Sequence, residues 1–152
     1  MKRKISLLVT VLLAVTALPA QAGEVCALVS GGGTTSGGSV ADGTGAIACG
    51  TNANAAGEGG TAVGDTASAT GFVSTAVGQP ATASGDSATA YGGISLASGG
   101  SSSAFGASPG ATADYTTALG HSAQAIDTFS TAIGAPGFAG GLASTALGFS
   151  TG

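Results

Sequence analysis

His121 is the only imidazole in the 152 residues, so any chemistry that needs histidine must be built around it. A metal site requires several His, Cys or carboxylate donors converging on one point. His121 instead follows Gly120 in a short turn-like stretch with no second His and no Cys nearby, which reads as a solvated turn position. Ser and Thr are abundant, but a nucleophile needs a base within reach and an acid to orient that base. A lone His in a repetitive turn nominates no such set. The Gly-rich stretches "GGG" (31–33) and "GTGAIACG" (43–50) lack the Lys of a phosphate-binding loop. No catalytic residue, cofactor or metal ligand is nominated, and an enzyme is not expected.

Charge narrows the partners. "MKRK" is followed by the apolar run "ISLLVTVLLAVTAL" and the small-residue stretch "PAQA". This is the layout of a secretory signal peptide over residues 1–22, cleaved before Gly23. The other reading, an uncleaved membrane anchor, suffers from a run too short to span a bilayer comfortably. Lys2, Arg3 and Lys4 are the only basic residues, so residues 23–152 hold seven acids and no base, a formal charge of −7. Such a chain cannot neutralise phosphates, which excludes nucleic acid as an expected partner, and the same sign disfavours anionic lipids and sulfated glycans. Export permits a Cys26–Cys49 disulfide. The alternative is a pair of small, partly buried thiols, and spacing does not decide between them.

The elements that must carry these residues are set by a repeat. Stepping by seven from Ala41 to Ala146 meets Ala at all 16 positions. Two residues after each Ala stands Gly in 14 of the 16, the exceptions being Ala113 and Asp127. These two mark residues 111–127 as a stretch where local irregularity is expected. The residue between Ala and Gly alternates in character from one step to the next. One set reads Cys49, Val63, Val77, Tyr91, Phe105, Leu119, Ile133 and Leu147; the other is mostly small or polar. The period is therefore 14, made of two unequal halves.

A helix would suffer from Gly and β-branched Thr at fixed positions. Short strands such as "STAVG" and "STAIG", followed by turn pairs such as Gln79-Pro80, Asp86-Ser87 and His121-Ser122, fit better. Each 14-residue unit is then one coil of a parallel β-solenoid with two short strands. Alternation along a strand puts Ala inside and the Thr, Val, Ile, Leu, Phe and Tyr positions outside. The tube is narrow, and only small side chains fit in it. Stacked coils bring the large outer residues about 4.8 Å apart, in a stripe longer than a soluble monomer usually exposes. Burial is worth about 1.5–3 kcal/mol per side chain, and a closed oligomer satisfies the stripe without open-ended growth.

The segments "GTAVG" (60–64), "STAVG" (74–78), "ATAYG" (88–92), "SSAFG" (102–106), "TTALG" (116–120), "STAIG" (130–134) and "STALG" (144–148) resemble the head repeat of trimeric autotransporter adhesins, the YadA-like head. The resemblance covers about residues 41–152. It implies an all-β, left-handed parallel β-roll that assembles as a homotrimer, with Val63, Val77, Tyr91, Phe105, Leu119, Ile133 and Leu147 toward the axis. It further implies a Gram-negative cell-surface, outer-membrane or secreted location. The implied role is attachment to host extracellular matrix or cell-surface proteins. Family members continue into a coiled-coil stalk and a membrane anchor of strands, neither of which is expected within these residues. Residues 23–40 form a Gly- and Ser-rich lead-in outside the repeat.

Several apolar residues fall outside the stripe: Phe72, Val73, Ile94, Leu96, Phe129, Phe138 and Leu142. Phe72 and Phe138 are the candidate ligand surface; packing against neighbouring coils or a neighbouring chain is the other reading. Thr61, Thr75, Thr89, Thr117, Thr131 and Thr145 form a column on the stripe's face, which raises ice binding as an alternative function. Large Tyr91 and Phe105 on that face argue for its burial.

Overall fold

The computed structural model describes residues 26–29 and 37–150; the expected signal segment, residues 1–22, lies outside them. All regular structure among the described residues is β. In chain order the strands are β1 (Ala27–Val29), β2 (Val40–Ala41), β3 (Ala46–Cys49), β4 (Asn54–Ala55), β5 (Thr61–Val63) and β6 (Ser68–Ala69). They continue as β7 (Thr75–Val77), β8 (Thr82–Ala83), β9 (Thr89–Tyr91), β10 (Leu96–Ala97), β11 (Ser103–Phe105) and β12 (Gly110–Ala111). The last five are β13 (Thr117–Leu119), β14 (Gln124–Ala125), β15 (Thr131–Ile133), β16 (Phe138–Ala139) and β17 (Thr145–Leu147).

From β2 onward the chain winds as a parallel β-solenoid of about eight turns. The odd strands from β3 to β17 stack into one sheet, which β1 extends at its first edge, and the even strands stack into a second. Every coil-to-coil pairing joins residues 14 apart: Ala62 with Ala76, Ala76 with Ala90, Ala104 with Ala118. The inside is almost entirely alanine. Ala48, Ala62, Ala76, Ala90, Ala104, Ala118 and Ala132 of one sheet face Ala41, Ala55, Ala69, Ala83, Ala97, Ala111 and Ala125 of the other, all fully buried. Two residues before each Ala lies a second inward column of Ala, Ser, Thr, Gly and Pro, including Ser74, Ser102, Thr116 and Ser130. With no large side chain inside, backbone hydrogen bonds between coils do much of the ordering.

Two turns close each coil, and both are tied to the next. In the turn after the long strand, Thr66 N–H donates to Thr51 C=O and Ser122 N–H to Ala107 C=O. In the turn after the short strand, Val73 N–H donates to Glu58 C=O and Ser87 N–H to Phe72 C=O. Pro80 and Pro136 occupy the donor position of the first turn and have no N–H to give, so those two rungs are missing.

The Gly columns differ in their reason. After the long strands, Gly50, Gly64, Gly78, Gly92, Gly106, Gly120, Gly134 and Gly148 all have positive φ, between 119° and 134°. That region is closed to other residues. After the short strands φ is not positive, and there Ala113 and Asp127 stand. The expected irregularity over residues 111–127 is thereby corrected. β12 pairs in register with β10 and β14, and β13 with β11 and β15, without a bulge. The backbone conformation of this column does not demand glycine, although a Cβ at Gly57, Gly71, Gly85 or Gly99 would press on the backbone of the next coil.

The lead-in also differs from a bare Gly/Ser linker. β1 lies antiparallel on β3, with Ala27 opposite Ala48 and Val29 opposite Ala46, and Cys26 is disulfide-bonded to Cys49. The first edge of the long-strand sheet is thus covered by a strand running against the solenoid's direction.

Candidate functional site

The large residues expected to point outward form one in-register column. Cys49 pairs with Val63, Val63 with Val77, Val77 with Tyr91, and Tyr91 with Phe105. Phe105 pairs in turn with Leu119, Leu119 with Ile133, and Ile133 with Leu147. The column exists because Val, Ile, Leu, Phe and Tyr follow the inward Ala on every long strand, and strand alternation sends them out. Neighbours cover one another only partly: Val63, Val77, Phe105 and Ile133 are half-buried, whereas Tyr91, Leu119 and Leu147 are 55%, 45% and 68% exposed. The Tyr91 and Phe105 rings are 6.3 Å apart and tilted by 30°. Beside this column runs a second one of Thr, paired Thr61–Thr75–Thr89 and Thr117–Thr131–Thr145, with Ser103 between the two runs; its members are half-buried except Thr145, which is exposed.

Phe72 and Phe138 are not brought together. Phe72 lies in the turn after β6, its N–H donating to Asp86 Oδ1 at 3.0 Å, and its ring is exposed. Phe138 belongs to β16, on the short-strand sheet, with its ring lying over Gly140. Between four and five coils separate them, roughly 20 Å at about 4.8 Å per coil. The outer groups Ile94, Leu96 and Leu142 are also exposed, dispersed over different turns and strands.

The acids act within the coil stack. Asp86 and Asp114 each accept a backbone N–H from the preceding coil, that of Phe72 at 3.0 Å and that of Gly100 at 2.7 Å. Asp65 Oδ2 accepts from Gln79 Nε2 at 2.7 Å, and Asp127 Oδ1 accepts from Thr128 N–H at 2.8 Å. His121 is exposed in its turn. Among the described residues no group of three or more His, Cys, Asp or Glu is placed to hold a metal ion.

One pair escaped the reading of the sequence. Tyr115 and Phe129 occupy the same position in successive turns after β12 and β14, with ring centroids 5.1 Å apart and planes within 10°. Their separation of 14 was the available signal, because any two outward residues one period apart become neighbours.

The fold and its outer surface define a class: a repeat-built parallel β-solenoid that carries one continuous apolar column on its long-strand sheet. The sequence matches the YadA head domain repeat over residues 41–67, 69–93 and 111–135, a little over half of the chain. The protein belongs to that family, whose members are structural, surface-exposed bacterial adhesins of the trimeric autotransporter type. The unmatched stretch 94–110 continues the same coils without a break, β10 and β11 pairing on both sides. No curated protein matches the chain.

Proposed function

We propose that the protein is the head of a homotrimeric adhesin. It is exported by its first 22 residues to the surface of a Gram-negative cell, or released from it, and attaches there to host matrix or cell-surface proteins. Three rolls pack with Val63, Val77, Tyr91, Phe105, Leu119, Ile133 and Leu147 toward a common axis. The observation that carries this reading is the unbroken apolar column, in register over seven coil-to-coil pairings and more than 40% exposed at three of its members. A soluble chain gains by covering such a strip, and a closed ring of copies covers it without leaving an open end.

Sedimentation equilibrium over a range of concentrations tests the assembly. A mass three times that of the chain is expected, and Leu119→Asp with Ile133→Asp should reduce it to that of a monomer. A folded wild-type monomer at micromolar concentration overturns the reading. The in-register Thr column supports ice binding as the second reading, and thermal hysteresis from a monomeric sample would put it first.

A further inference from the structure

Tyr115 and Phe129 stand at φ 57° and 60°, in the left-handed region that bulky residues avoid. Elsewhere in this turn column the position is held by Gly45, Gly59, Ser87, Ser101 and Ala143, with Val73 the one other large residue. Two successive coils therefore accept backbone strain to present two stacked rings, and the rings are not hidden: they are 59% and 56% exposed. The column neighbours on either side, Ser101 and Ala143, are small, which leaves room for a planar group to extend the stack at either end.

The surroundings are acidic. Asp114 adjoins Tyr115 in sequence, and its C=O receives the Phe129 N–H at 3.1 Å. Its carboxylate accepts a single backbone N–H at 2.7 Å, well short of the roughly four lone-pair sites a carboxylate offers. Asp127 lies two residues before Phe129. Residues 5–152 contain no Lys or Arg, so the chain has no cation of its own to set against these ring faces.

We propose that this flank binds an arginine side chain of a basic partner protein. A guanidinium is planar, stacks on aromatic faces and pairs with carboxylates through its fork of donors, which matches rings and acid together. The site belongs to a different part of the coil from the apolar column: Tyr115 lies in the turn before β13, whereas Leu119 ends that strand. The inference deepens the adhesion reading by naming the partner chemistry, and it rests on that reading.

The test titrates the full chain with an Arg-Gly tetrarepeat peptide and with the same peptide carrying citrulline, which keeps the shape and removes the charge. Saturable binding of the arginine peptide is expected, with citrulline weaker by about 10-fold or more. Tyr115→Gly with Phe129→Gly should weaken binding by about 10-fold or more and leave the melting temperature unchanged or raised, since glycine relaxes the φ. Asp114→Asn, which keeps an acceptor for Gly100 N–H, should weaken it too. Equal binding of both peptides, undiminished binding by the double glycine variant, or no binding overturns the proposal. Loss of assembly in that variant overturns it as well, by assigning the rings to a subunit contact. Mass measured on the same samples separates the two readings: a trimer that ignores arginine sinks this inference alone, and a monomer that binds it sinks only the assembly.

Discussion

Gly106 lies directly against Gly120 of the next coil: a Cβ on Gly106 would come within 2.6 Å of the Gly120 carbonyl oxygen, and its φ is 131°. Both the conformation and the space therefore demand glycine. Gly106→Ala should cost at least about 2 kcal/mol, from left-handed strain and a displaced coil. Gly85→Ala, in the column that already holds Ala113 and Asp127, carries no left-handed strain, but a Cβ there meets the Gly99 carbonyl oxygen even more closely, so it too should destabilise, through displacement of the coil alone. Chemical denaturation midpoints compare the two. An unchanged midpoint for Gly106→Ala would show that neither its backbone conformation nor its contact demands glycine.

The inward column two residues before each long-strand Ala makes a paired test. Ser74 Oγ is buried with no hydrogen-bond partner, whereas Ser102 Oγ donates to Gly99 C=O at 2.7 Å. Ala88 already fills the same column. Ser74→Ala should stabilise the protein by about 1 kcal/mol by removing a desolvated hydroxyl, and Ser102→Ala should destabilise it by about as much. Opposite signs in thermal or urea unfolding are the expected result.

How much of this was legible follows from what a strict period encodes. Ala at every seventh position dictates a narrow tube, and an alternation of large and small partners dictates two unlike strands per coil. Val63, Val77 and Ile133 therefore fall on one outer face by period alone. Backbone torsion is not written in a period: Gly99 and Gly106 look alike in sequence, yet only the second has positive φ. That is why Ala113 and Asp127 looked disruptive and were not. The antiparallel β1 was out of reach for another reason. Strand pairing against the repeat's direction depends on residues outside the repeat, where no neighbour 14 positions away constrains them.

The two phenylalanines named as a ligand surface make separate predictions because they occupy separate places. Phe72→Ser removes an exposed ring from a turn and leaves its N–H bond to Asp86 in place, so melting should shift by less than that of Phe138→Ser. Phe138 covers Gly140, and losing its ring uncovers backbone on the short-strand sheet at a cost of about 1 kcal/mol. Adhesion to immobilised matrix protein, measured beside the melting curves, decides their role. A variant that melts earlier but adheres as well as wild type removes its residue from the binding surface.

The Cys26–Cys49 disulfide fastens β1 across the first edge of the long-strand sheet. A solenoid needs its terminal coil covered, because an open edge invites pairing with another chain. The bridge spans a sequence separation of 23, and closing a loop of that size is worth about 3 kcal/mol. Stability in such a stack is passed between neighbours, so the loss should begin locally. Cys26→Ser, or reduction of the wild type, should speed hydrogen exchange at Ala46–Cys49 first and leave the β9 to β13 amides protected until the whole stack melts. The exposed edge should also bring slow association beyond the assembled form, followed by light scattering. Unchanged exchange at β3 after reduction would mean that backbone pairing alone holds the cap.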